Sequence, residues 1–300
     1  MAERSNRNRG TDSGSASGRA GRKVKQERGL VCDNLSFAAA EAYKLLRTNL
    51  RFSMPEKPCS MIGVTSSFRG EGKSTTSVNL AYTFAQSGKR VLLIDADMRL
   101  PSVSAKLNIR QAPGLSNLIA GLRDERDCLL KSSYFDNWYI LPAGDIPPNP
   151  SELLGSERMH SLLDRYADVF DYIIIDLPPV NLVSDALVIS QWIDGLIAVV
   201  RQNYTDKRAL ADCVYQIRKL GAHFLGFVMT DASVDVSSYK RYGKYGKKYG
   251  YGYGYDNAYA DSNVTSSKRK TQAFFEATVD DYATSESEEA PAEEAGVPEE

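Results

Sequence analysis

The stretch from Ser66 to Thr76 limits the possible folds more than any other. It reads Ser66-Ser67-Phe68-Arg69-Gly70-Glu71-Gly72-Lys73-Ser74-Thr75-Thr76. The apolar run Met61-Ile62-Gly63-Val64 precedes it and a helix-like run, Val78 to Ala85, follows. A glycine-bearing loop between a strand and a helix gathers backbone N–H groups and a helix N-terminus around an anion. Glycine lets the backbone wrap close to that anion. Lys73 is placed to reach the β- and γ-phosphates of a nucleoside triphosphate, and the Ser74 hydroxyl to ligate Mg²⁺. The spacing departs from G-x-x-x-x-G-K-[S/T] at one point, where Ser67 stands for the leading glycine. A Gly-rich turn with a surface lysine is the plainer alternative, and it leaves the acidic strand ends described below without a reason.

A strand–helix rhythm surrounds this loop. Ser36 to Phe52 reads as an amphipathic helix with Ser36 as N-cap, ended by Met54-Pro55. Strands are expected at Cys59–Thr65, Arg90–Asp95, Tyr139–Leu141, Tyr172–Asp176, Gly195–Val200 and Phe224–Met229. Helices are expected at Lys73–Gln86, Ser156–Tyr166, Ser184–Gln191 and Asp206–Leu220. Several strands are continuous apolar runs, such as Val91-Leu92-Leu93-Ile94 and Ile173-Ile174-Ile175. Such runs suit strands covered on both faces, so the expected class is α/β, a mostly parallel phosphate-loop-type sheet flanked by helices.

Two of these strands end in aspartate: Ile94-Asp95-Ala96-Asp97-Met98-Arg99 and Ile175-Asp176-Leu177-Pro178-Pro179. In parallel sheets ligands gather at the carboxyl ends of strands. A carboxylate there is costly unless it meets a metal or a donor. Beside a phosphate loop that partner is Mg²⁺, which keeps several waters and takes few carboxylates. Asp95 and Asp97 are two apart and can point to the same side of an extended chain. One can hold the metal while the other takes a proton from an incoming hydroxyl. Any one of them can instead cap the following turn.

With these residues in view, the chain resembles the bacterial tyrosine kinases that control capsule and exopolysaccharide export. Its D-x-D-x-R motif is met by Asp95, Asp97 and Arg99, and its D-x-P motif by Asp176 and Pro178. Leu141-Pro142-Ala143-Gly144, Pro147-Pro148-Asn149-Pro150-Ser151-Glu152-Leu153-Leu154 and Val199-Val200-Arg201 with Thr205 are also similar. The resemblance covers about Ala40 to Tyr259. It implies an ATP-dependent protein-tyrosine kinase with ATP and Mg²⁺ as cofactors. Ser67, Gly70, Glu71, Gly72, Lys73, Ser74 and Thr75 would bind the nucleotide. Ser74, Asp97 and Asp176 would hold the metal, and Asp95 would take the tyrosine proton beside Lys73 and Asp97. Arg69 replaces a proline common in the family's loop. The H-R-D and D-F-G signatures of eukaryotic kinases are missing.

Beyond the sheet the composition changes. Tyr239, Tyr242, Tyr245, Tyr249, Tyr251, Tyr253, Tyr255 and Tyr259 alternate with glycines and with Lys240, Arg241, Lys244, Lys247 and Lys248. Nothing there builds a core, and the composition favours flexible chain with exposed hydroxyls. Family members phosphorylate such a cluster. Full modification would add on the order of −12 to −16 charge, enough to reverse the five local cations. A sticky aromatic, basic segment for RNA or self-association is the other reading of the same composition. Glu41, Lys44 and Arg47 resemble the family's E-x-x-R-x-x-R oligomerisation motif, with Lys44 in place of an arginine. Helical spacing is expected to bring these three together. The resemblance implies a ring of unphosphorylated subunits, each presenting its tail to the next.

The organisation expected is a disordered basic arm over 1–34, a kinase domain over 35–235, the tyrosine-rich tail over 236–260 and a disordered acidic tail over 261–300. No specific nucleic-acid partner is expected. Cys32, Cys59, Cys128 and Cys213 lie far apart, with neither zinc nor disulfide spacing, which suits a reducing cytoplasm. His160 and His223 read as ordinary helix or strand residues. Neither a signal peptide nor a membrane-spanning run is read. The resemblance therefore implies a cytoplasmic protein, peripheral at the inner face of the plasma membrane. Its implied partners are a membrane-spanning activator of the polysaccharide co-polymerase kind and a cognate phosphotyrosine phosphatase. Two rivals remain. Positioning ATPases carry K-G-G-x-G-K, but Phe68 occupies that early lysine position. A catalytically weak scaffold of the export machinery would not need Lys73, Asp95, Asp97 and Asp176 together.

Overall fold

The computed structural model describes residues 31–232 and 275–276. Among the described residues, eight strands form one sheet: β1 (Ser60–Ser66), β2 (Val91–Asp95), β3 (Leu130–Lys131), β4 (Trp138–Leu141), β5 (Tyr172–Asp176), β6 (Gly195–Arg201), β7 (Phe224–Thr230) and β8 (Phe275–Glu276). Their order across the sheet is β7-β6-β1-β5-β2-β4-β3-β8. The pairs among β1, β2, β4, β5, β6 and β7 are parallel. The short β3 runs antiparallel to both β4 and β8. The helices are α1 (Phe37–Ser53), α2 (Lys73–Gln86), α3 (Val103–Leu107), α4 (Leu115–Ile119), α5 (Glu125–Cys128), α6 (Pro150–Leu154), α7 (Glu157–Ala167), α8 (Asp185–Ile189) and α9 (Lys207–Lys219). This is the mostly parallel sheet with flanking helices that the apolar runs imply.

Alternate residues of the central strands feed two separate cores, one on each face. Ile62, Val64, Val91, Leu93 and Ile174 pack with Val78, Leu80 and Phe84 of α2. Leu92, Ile94, Ile173 and Ile175 pack with Met159, Leu162 and Tyr166 of α7 and with Ile189 of α8. Each large side chain so buried contributes about 1.5–3 kcal/mol against its exposed state. Gly63 of β1 has no room for more. A Cβ there would lie 2.5 Å from Leu196, 2.7 Å from Ile193 and 2.8 Å from Leu177.

Ser36 caps α1, its hydroxyl accepting from the Ala39 amide at 3.3 Å. Val31 and Cys32, which composition assigns to the basic arm, are buried, and the Cys32 amide donates to Asn79 Oδ1 on α2 at 2.8 Å. The four cysteines are free and buried, and burial pushes Cys32 and Cys59 up to about 12 and Cys128 and Cys213 up to about 11. His160 stacks on Trp192, and His223 Nδ1 meets the Asp194 carbonyl. Among the described residues no helix is long and apolar enough to cross a membrane.

Candidate active site at the carboxyl ends of β1, β2 and β5

The loop from β1 to α2 turns at two glycines of positive φ, Gly70 at 81° and Gly72 at 96°. Other residues are strained in that region, so glycine is needed at both. Gly72 is the N-cap of α2 and supplies no side-chain cap. The first N–H groups of α2, from Lys73, Ser74 and Thr75, therefore face an anion site at the positive end of a long helix.

Lys73 stands at the centre. Its Nζ donates to Asp97 Oδ2 at 2.7 Å and to Ser74 Oγ at 3.2 Å, and lies 3.7 Å from Asp176 Oδ2. Burial pulls this ammonium down, but the carboxylates of Asp176 and Asp97 more than offset it. Its pKa stands above the ordinary lysine value. Asp176 is wholly buried. Ser77 Oγ donates to its Oδ1 at 2.9 Å, while Oδ2 is buried without a hydrogen-bond donor. Burial raises the Asp176 pKa, and Lys73 only partly offsets this.

The two aspartates after β2 do not share one direction. Asp95 turns inward and closes its own turn. Its Oδ1 accepts from the Asp97 amide at 3.2 Å, and its Oδ2 from the amides of Ser102 at 3.2 Å and Val103 at 3.1 Å. Burial, followed by repulsion from Asp176, holds its pKa well above the usual carboxylate range. Asp97 turns to Lys73 and accepts from the Leu100 amide at 3.0 Å. Arg99 pins the segment from below, with Nε and Nη2 on buried Asp185 at 2.9 and 3.0 Å and Nη2 also on Ser151 at 3.1 Å. Those two partners come from α8 and α6, so the Pro147–Leu154 segment serves to hold the acidic turn.

Glu71 is a loop residue whose side chain is taken up by protein partners on both carboxylate oxygens. It is wholly buried, accepts from the Phe68 amide at 2.8 Å and receives the Thr205 hydroxyl. It braces the loop from within. Ser67 is also buried. Lys106 on α3 was not singled out by its sequence context. Burial lowers its pKa, with the charge of Asp176 acting against that and the charge of Lys73 adding to it.

The residues suit a magnesium–phosphate pair more than a bare ion. Among the described residues no three His, Cys, Asp or Glu side chains converge as a metal cage. Mg²⁺ at phosphates needs only one or two carboxylates. The donorless Asp176 Oδ2 and the uncapped start of α2 are the vacant valences such a pair would meet.

On α1, Lys44 Nζ pairs with Glu41 at 2.7 Å in the open. Arg47 leaves that group. Its Nη1 donates to the Thr83 carbonyl of α2 at 2.7 Å, which fastens α1 to α2. The expectation that all three gather is thus met for two of them only. The tyrosines from Tyr239 to Tyr259 lie outside the described residues.

Residues 60–223 match the AAA domain family. The chain is 35% identical over 209 residues to the tyrosine-protein kinase CpsD of Streptococcus agalactiae, spanning 69% of this chain and 90% of that one. It is 34% identical over 209 residues to the tyrosine-protein kinase YwqD of Bacillus subtilis strain 168, spanning 70% and 87%. Among solved structures, the kinase domain of the Escherichia coli tyrosine kinase ETK aligns with a TM-score of 0.62 at 31% identity, covering 68% of this chain and 82% of that one.

Proposed function

This chain belongs to the tyrosine-protein kinases of bacteria, and on that premise we propose that it passes the terminal phosphoryl group of ATP to tyrosines of its own sequence. The observation that carries the reading is Lys73 at the start of α2, within reach of Asp97 and Asp176. Phosphoryl transfer asks a protein mainly for positioning and charge neutralisation. The amides of Gly70 to Thr75 cradle the phosphates, and Lys73 leaves its carboxylates for them. Mg²⁺ would be held by Ser74, Asp97 and Asp176, and when bound it neutralises charge on the β- and γ-phosphates.

The aspartate pair divides the remaining work. Three backbone donors commit Asp95 to shaping the turn. Its raised pKa suits the proton acceptor that the family resemblance makes it. Asp97 meets the metal side of the same site.

The acceptors are Tyr239, Tyr242, Tyr245, Tyr249, Tyr251, Tyr253, Tyr255 and Tyr259. A membrane-spanning activator docks the protein at the inner face of the plasma membrane. A cognate phosphatase resets it, and the cycle governs capsular or exopolysaccharide export. Unphosphorylated subunits assemble as a ring through Glu41 and Lys44 on α1. Incubation with Mg-ATP, with and without an activator tail, followed by phosphotyrosine mapping, tests the reading. Modification within Tyr239–Tyr259 and a fall in particle size after ATP are expected. Turnover of ATP to ADP with every tyrosine unmodified would overturn it in favour of an ATPase switch.

A further inference from the structure

Three consecutive carbonyl groups of the phosphate loop are gripped from outside. Tyr204 Oη donates to the Arg69 carbonyl at 3.1 Å, Arg201 Nη1 to that of Gly70 at 3.2 Å, and Thr230 Oγ1 to that of Glu71 at 2.7 Å. In a planar trans peptide the carbonyl and the following N–H point opposite ways. Holding carbonyls 69–71 outward therefore aims the N–H groups of Gly70, Glu71 and Gly72 inward, as a nest for an anion requires. Gly72 also sits close under β7, where an added Cβ would lie 3.2 Å from Thr230 Cγ2.

Arg201 reaches in a second direction. Its Nε donates to Asp231 Oδ2 at 2.6 Å, and its guanidinium lies 5.4 Å from the centre of the Tyr204 ring. Asp231 follows β7 directly and has a φ of 51°. The first tyrosine of the cluster, Tyr239, is only a few residues further along the chain. One guanidinium thus touches both the phosphate loop and the root of the tyrosine-bearing segment.

We propose that Arg201, Tyr204 and Thr230 are positioning residues of the phosphate loop, and that the Arg201–Asp231 pair links nucleotide occupancy to the root of the tyrosine-bearing segment. The inference rests on the nucleotide-binding half of the kinase reading and not on phosphoryl transfer. Phosphates drawn to the inward N–H groups stiffen the loop. The Gly70 carbonyl then holds Nη1 in place, and Nε meets Asp231 with less motion left to lose. The link is reciprocal: Asp231 raises nucleotide affinity by the factor through which nucleotide steadies Asp231. The two side chains are 42% and 60% exposed, which keeps that factor small, about two- to fivefold.

Hydrogen exchange at the amides of Thr230 to Ala232, with and without a non-hydrolysable ATP analogue, reads the link. Slowing of about two- to fivefold by saturating analogue is expected in the wild type, and none in Asp231→Asn. Asparagine keeps the side-chain shape and tolerates the positive φ. Equal slowing in both proteins, or none in a wild type that binds the analogue, overturns the link. Analogue binding is titrated in the same samples, and its failure there would overturn the kinase reading beneath. The positioning role is tested by Thr230→Val, which removes one hydroxyl from a near-identical shape, and by Thr230→Ser, which keeps it. The Kd of the ATP analogue should rise about three- to tenfold in Thr230→Val and return in Thr230→Ser. A wild-type Kd in Thr230→Val, or a loss that Thr230→Ser does not restore, overturns it.

Discussion

The phosphate loop has two unlike neighbours, one on each side of β1. Towards β5 and β2 the sheet ends in Asp176 and Asp95, both wholly buried, with Asp97 close by. Towards β6 and β7 it ends in Arg201 and Thr230, which are both only half-buried. On the first side three carboxylates are held out of solvent with Lys73 between two of them, an arrangement that is costly until a ligand completes it. On the second side each bond is worth little alone, and the effect lies in the orientation the bonds impose together. Loss of a group should therefore be severe on the acidic side and graded on the other.

The largest expected effect is that of Lys73→Met. It should lower the initial rate of tyrosine phosphorylation by about a thousandfold or more, read by phosphotyrosine mass spectrometry. A rate within tenfold of wild type would erase the contrast between the two sides.

Asp176→Asn sharpens it further, since activity and stability should move in opposite directions. Activity is expected to drop about a hundredfold or more. For stability the sign follows from the raised pKa of Asp176 in the fold. A carboxyl raised on folding binds more protons folded than unfolded between its two pKa values. Its contribution is thus full below the unfolded value, near pH 4, and is lost as pH rises through the folded one. The nucleotide-free Asn variant should melt at least ~2 °C above wild type at pH 8, with the gap closing towards pH 4. A gap of constant size across that range would show that the burial of this carboxylate is not its cause.

Thr205→Val probes the inner brace of the opposite side. It leaves a Glu71 carboxylate oxygen and the Arg201 amide without their shared hydroxyl, at a cost of about 1–3 kcal/mol. The melting temperature should fall about 3–8 °C and the KM for ATP should rise. Tyr204→Phe should do least. It removes one bond to the Arg69 carbonyl and keeps the ring under Arg201, so a KM change of about twofold and an unaltered melting temperature are expected. A larger loss in Tyr204→Phe than in Thr205→Val would invert the proposed order.

The same contrast explains what could be read from the sequence. The strands around β1 announce themselves because both of their faces are buried, and their apolar runs place β2 and β5 to within a residue. The helices between residues 100 and 155 were opaque because α3, α4, α5 and α6 are four or five residues long, too short for a helical period to show. The acidic residues were visible as a set, since Asp95 and Asp176 end strands and Asp97 follows two residues after one. Their separate directions were not, because the Asp95 side chain is claimed by amides of Ser102 and Val103 in a turn with no regular pattern. The outer grip on the loop was less legible still. Its partners are 131 to 159 residues apart in sequence, and only the parallel pairing of β1, β6 and β7 brings them together. Arg47 misled for a related reason: helical spacing cannot register a carbonyl on a neighbouring helix.

The four native thiols have a practical consequence. All are buried and held protonated, so alkylating reagents that attack the thiolate will spare them while the fold is intact. A single new cysteine at the exposed Ala232 would then take a maleimide fluorophore almost alone. Its emission would follow the root of the tyrosine-bearing segment in real time as ATP is added.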